Sequence, residues 1–74
     1  GGFLNLADDF NDTVNINLAN HQELMTLPGI GEKYAQAIID YRQEEGFFDS
    51  IEQIKKVKGI GDKIFEDIKN RLEI

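Results

Sequence analysis

From Asn20 onward the apolar positions recur three and four residues apart, the period of helices with one buried face. Leu24 and Leu27 supply the apolar side of a short helix, and Tyr34, Ala35, Ile38, Ile39 and Tyr41 that of a longer one over about 32–45. The arrangement then returns. Ile51, Ile54 and Val57 predict a second short helix, and Ile64, Phe65, Ile68 and Leu72 a second longer one over about 62–72. Ahead of these, Val14 and Ile16 alternate with Asn15 and Asn17, the period of an extended stretch. Residues 1–13, rich in Gly, Asn and Asp with scattered Phe3, Leu4, Leu6 and Phe10, read as an N-terminal linker or strap. Residues 14–74 are then the domain.

The helical part is a repeat at an offset of 30 residues. Asn20 matches Ser50, Leu24 matches Ile54, Leu27 matches Val57, Lys33 matches Lys63 and Ile38 matches Ile68. Gly29-Ile30-Gly31 matches Gly59-Ile60-Gly61. Shared apolar positions under diverged surfaces mark a duplicated packing unit, expected to pair about a pseudo-twofold axis. Asn20 with Glu23, and Ser50 with Gln53, have the spacing of capping boxes. Pro28 and Gly29 stop the first short helix, Gly59 stops the second, and Gly46 ends the long helix of copy one. Phe47-Phe48 is expected to plug the core between the copies. The fold class expected is all-α: two helix-hairpin-helix units and a connector helix, about four or five short helices.

Composition narrows the function. The chain has 74 residues, no Cys and one His, so disulfide frameworks and zinc sites are excluded. His21 reads as a surface residue beside the Asn20 cap. The Asp8-Asp9 and Asp12 cluster lacks the spacing of a calcium loop and reads as solvated acid. One Ser, one His and so small a core argue against an enzyme, and no cofactor is expected. No apolar run is long enough to span a membrane. The net charge of −6 weighs against binding nucleic acid, but it is unevenly spread. Residues 20–49 carry six acids against Lys33 and Arg42, whereas residues 50–74 carry six bases against five acids.

Each Gly-Ile-Gly turn runs into a helix start. The glycines permit angles or close approaches that a Cβ would block, while Ile30 and Ile60 turn inward and pin the hairpin. The first amides of the helix that follows have no intrahelical partner, and the dipole there is positive. Free amides without side-chain obstruction suit phosphate, and Lys33 and Lys63 can add charge. The plainer reading is a tight turn between antiparallel helices. Its repetition, each time followed by an acid and a lysine, favours the phosphate seat. Two seats on one side would suit the two backbones flanking a minor groove, without base readout.

Residues 14–74 resemble the tandem helix-hairpin-helix family, in particular its competence DNA-receptor (ComEA-like) branch. The resemblance rests on Val14-Asn15-Ile16-Asn17, Glu23-Leu24 leading to Leu27-Pro28-Gly29-Ile30-Gly31, Ala35 with Ile38-Ile39 and Tyr41-Arg42, Gly46-Phe47-Phe48 before Ser50-Ile51-Glu52, and Val57-Lys58-Gly59-Ile60-Gly61. Similar modules occur in DNA-repair nucleases, a transcription-accessory RNA-binding protein and a type II secretion component. The resemblance implies non-sequence-specific binding of double-stranded DNA by hairpin amides. The implied phosphate-binding set is Gly29, Ile30, Gly31, Lys33 and Tyr34 in copy one, and Lys58, Gly59, Ile60, Gly61, Lys63 and Ile64 in copy two. Some members also hold a monovalent cation, here at the carbonyls of Met25, Leu27 and Ile30 or of Lys55, Val57 and Ile60. The competence branch further implies an extracytoplasmic module, membrane-anchored through an N-terminal segment outside this sequence. Lys55, Lys56, Lys58 and Lys63 make copy two the expected leader in any contact. Two other readings fit the acidity or the family: a protein-interaction scaffold that has lost DNA, and the targeting module of a larger nuclease or helicase with flanking domains.

Overall fold

The Asn20 side chain opens the first helical unit. Its Oδ1 accepts from the Glu23 amide at 2.8 Å, and the Glu23 carboxylate accepts from the Asn20 amide at 2.9 Å, closing the capping box. The helix so started, α1 (His21–Leu24), is one turn long. The computed structural model describes residues 13–74; residues 1–12 of the N-terminal strap, with Asp8, Asp9 and Asp12, lie outside the described residues. After α1 come α2 (Glu32–Glu45), a 3-10 helix η1 (Ile51–Lys56), α3 (Asp62–Ile68) and a 3-10 turn η2 (Lys69–Arg71). The described part is mostly helical, as expected, with one small addition. The extended segment β1 (Val14–Asn15) pairs in parallel with β2 (Leu72–Glu73), Val14 opposite Leu72.

The repeat is visible in what is buried. Leu24, Leu27, Ile30, Ala35 and Ile38 from the first unit, and Ile54, Val57, Ile60, Phe65 and Ile68 from the second, make most of one core. Each pair is 30 residues apart. Val14, Ile16, Ala19, Phe48 and Leu72 complete it. Asn17 binds the connection between the units through both polar groups of Phe48: its Oδ1 accepts from the Phe48 amide at 2.7 Å and its Nδ2 donates to the Phe48 carbonyl at 3.1 Å. Phe48 then stacks on Tyr41, with ring centroids 5.0 Å apart. Arg42 donates to the Ile16 carbonyl, and Arg71 to that of Thr26, so segments far apart in the chain are fastened together.

Four expectations need correction. Phe47 is 73% exposed; Phe48, whose main chain Asn17 holds, is the one of the pair that enters the core. The connection itself, residues 46–50, is not a helix. The second capping box does not form: Gln53 Oε1 accepts instead from the Asp49 amide at 2.7 Å, one residue too early, and the segment winds as 3-10. The last helix stops at Ile68 rather than near Leu72, since Leu72 buries its side chain by pairing beside Val14.

Candidate functional site

The two hairpins are built alike. Ile30 donates its amide to the Leu27 carbonyl at 3.1 Å, and Ile60 to that of Val57 at 3.0 Å; both side chains are buried. Gly29 and Gly59 take φ 80° and 93°, a left-handed region that any Cβ would strain. Glycine is therefore required there by the turn itself.

Gly31 and Gly61 are different. They are the N-caps of α2 and α3, at φ −91° and −104°, angles open to every residue. A Cβ at either would meet no atom within 4 Å. Among the described residues, nothing needs these two glycines. The ladder of α2 begins with the Ala35 amide bonding the Gly31 carbonyl at 2.9 Å, and that of α3 with Phe65 bonding Gly61 at 3.0 Å. The first-turn amides, among them Lys33, Tyr34, Lys63 and Ile64, lie ahead of those bonds, and neither cap offers a side chain to take them.

The hairpins are neighbours. Tyr34, in the first turn of α2, lays its ring over Gly59: its Cε1 lies 2.5 Å from where a Cβ would stand. Lys33, Lys58 and Lys63 are exposed beside the turns, and with Lys56 they form no ion pair among the described residues. Lys55 is engaged otherwise. It pairs with Asp62 at 3.4 Å and sits 5.1 Å from the Phe65 ring centre. Arg42 points away to the Ile16 carbonyl. Of the expected set, Tyr34 is brought against Gly59 and Lys33, Lys58 and Lys63 are exposed beside their turns, while the buried Ile30 and Ile60 side chains hold the turns from within.

The carbonyl sets offer neutral oxygen, the donor type that hard cations take. Leu27 and Val57 each already accept the hairpin bond. The Met25, Ile30, Lys55 and Ile60 carbonyls accept none among the described residues, so each set fits a monovalent ion in donor type. No described group of His, Asp or Glu is arranged to hold a metal. An open groove of about 440 Å³ lies elsewhere, between the strand pair and α1, lined by Val14, Leu18, Ala19, Thr26 and Glu73 among others. It includes none of the hairpin glycines. No described helix is long and apolar enough to cross a membrane.

Comparison with known proteins agrees with the architecture. The family model for the helix-hairpin-helix motif matches residues 9–73. ComE operon protein 1 of Bacillus subtilis is 51% identical over 61 residues, which cover 82% of this chain and 30% of that protein. Endonuclease/exonuclease/phosphatase family domain-containing protein 1 of Xenopus laevis is 41% identical over 58 residues, 78% of this chain and 10% of that protein. An uncharacterized protein of Haemophilus influenzae is 42% identical over 62 residues, 82% of this chain and 55% of that one. The chain therefore spans less than two thirds of each of these relatives. Fold, repeated glycine turns and family match converge: the chain is a ComEA-like helix-hairpin-helix domain and belongs to the helix-hairpin-helix family.

Proposed function

We propose that this domain binds double-stranded DNA without regard to base sequence, as the DNA-receptor module of a competence or uptake protein, and that it does so without catalysis. One observation carries the reading: Gly31 and Gly61 are bare where the protein itself sets no demand for it. A bare N-cap beside unbonded amides leaves room for the close approach of an external anion. The amides of Gly29, Gly31, Lys33 and Tyr34 serve one phosphate backbone, and those of Gly59, Gly61, Lys63 and Ile64 the other. Phosphates position a protein on the duplex and carry no base identity, so binding is sequence-neutral.

Lys33, Lys56, Lys58 and Lys63 are the cations left over for phosphate. If about four phosphates are neutralised, log K falls against log salt with a slope near −3.6, and affinity at physiological salt is micromolar or weaker. A monovalent cation held by the carbonyls of Met25, Leu27 and Ile30, or of Lys55, Val57 and Ile60, would add positive charge at the turn.

Fluorescence anisotropy with a duplex oligonucleotide tests this. Valine is at ease in the extended backbone of Gly61, and a Cβ there meets no atom within 4 Å, so Gly61→Val should obstruct the seat without breaking the turn. It should cost about tenfold or more in affinity, whereas Lys69→Ala, whose lysine is already paired with Glu66 at 2.8 Å, should cost little. Equal losses would move the binding surface elsewhere. No binding of the unaltered domain even at low salt would leave the scaffold reading, which the net charge of −6 favours.

A further inference from the structure

The two units are not equivalent where they meet. The space beside Gly59 is filled by the Tyr34 ring, with Cε1, Cδ1 and Cζ at 2.5, 3.2 and 3.5 Å from an ideal Cβ. The corresponding space beside Gly29 holds no atom within 4 Å, so Ile64, the residue 30 positions after Tyr34, does not return the contact. Tyr34 consequently takes part in both hairpins: its main chain lies in the first turn of α2, beside the first, and its ring lies on the second. The ring is half-buried and packs against the core as well, so it is held from behind.

We propose that Tyr34 is the positioning residue that sets the separation of the two hairpins, and that this separation gives the domain its preference for two phosphate backbones over one. The proposal rests on the DNA reading above. Gly59 is glycine for the turn, and its missing side chain also admits the spacer; a flat, rigid ring wedged against main chain fixes a distance better than a flexible side chain does. With the distance fixed, a duplex held at one hairpin meets the second at high effective concentration. A single strand, with one backbone, gains nothing from the spacing. Removing the ring leaves each hairpin intact and loosens only their relation.

The test compares Tyr34→Phe and Tyr34→Leu in the full chain. Leucine keeps apolar volume for the core and removes the ring; phenylalanine keeps the ring. Tyr34→Leu should lower duplex affinity about tenfold and single-strand affinity far less, and should bring the salt slope from about −3.6 toward about −2.7 as the phosphate neutralised at the first hairpin by Lys33 is lost. Tyr34→Phe, which keeps the ring, should keep the duplex preference and the slope. A Tyr34→Leu protein that retains both the duplex preference and the slope overturns the proposal. A second measurement needs no DNA and separates this failure from that of the DNA reading. The chain has no Cys, so spin labels can be placed at exposed Glu32 and Lys58 through Glu32→Cys and Lys58→Cys. Tyr34→Leu should broaden the distance between them, and Tyr34→Phe should not. An unchanged distribution in Tyr34→Leu refutes the spacer whatever the domain binds.

Discussion

At an N-cap, glycine stabilises a helix less than Asn, Asp or Ser by about a few tenths of a kcal/mol, because it has no oxygen to offer the first-turn amides. Both helices that follow a hairpin nevertheless start on one. The cap that would stabilise the fold would occupy the same amides that the proposed phosphate needs, so stability and binding conflict at this atom. Gly61→Ser should therefore raise stability slightly, by about 0.3 kcal/mol in chemical denaturation, while its hydroxyl takes the Lys63 or Ile64 amide and weakens duplex binding several-fold. A variant that is both more stable and fully competent in anisotropy would mean that those amides are not the contact. That glycine stands at all four positions, for a turn angle or for a close approach, was legible in the sequence, but not which reason applies at which position. Only the backbone angles separate Gly29 and Gly59, which the turn requires, from Gly31 and Gly61, which it does not.

At the scale of elements, the two copies share a buried pattern and differ in how they start. The Asn20 box closes with two bonds of 2.8 and 2.9 Å, whereas the Ser50 side chain makes no capping bond and Gln53 turns to Asp49. Asn20→Ala should cost about 1 kcal/mol, and Ser50→Ala under about 0.5 kcal/mol, as for a surface change that removes no such bond. Thermal or urea unfolding of the two variants would check the order, and equal costs would show that the second box forms in solution. The spacing motif alone cannot distinguish these cases, since the reach of Gln53 depends on where the chain turns after Gly46. Leu72 shows the same limit. It is apolar and buried either way, so periodicity carries the helix through it, and only the distant Val14 makes it a strand. Phe47 and Phe48 are identical in type and adjacent; which one enters the core is decided by the Asn17 clamp from 31 residues away. Periodicity, caps and the repeat record local interactions. The Leu72 and Phe48 outcomes, and the Tyr34–Gly59 contact, come from residues far apart in the chain.

For the whole molecule the question is how a protein of net charge −6 would hold the polyanion proposed for it. The bulk charge lowers the encounter rate, but the potential at the hairpins follows local placement. Around the first, Lys33 stands beside Glu32 with no other lysine in its unit, and Asp40, Glu44 and Glu45 follow along the exposed side of the same helix, the last two about 16–18 Å away and largely screened. Around the second, Lys63 shares its surroundings with Lys56 and Lys58, and the Asp62 carboxylate is already offset by Lys55. A reversed charge does most harm where the field is favourable to begin with. Lys63→Glu should thus weaken duplex binding by about tenfold, and Lys33→Glu by about threefold, at moderate salt, with the gap closing as salt rises and screening shortens to a few ångströms. Both lysines are exposed and form no ion pair among the described residues, so neither substitution should disturb the fold, and any difference reports on the field. If Lys33→Glu proved the more damaging, the first hairpin rather than the second would lead the contact with the duplex.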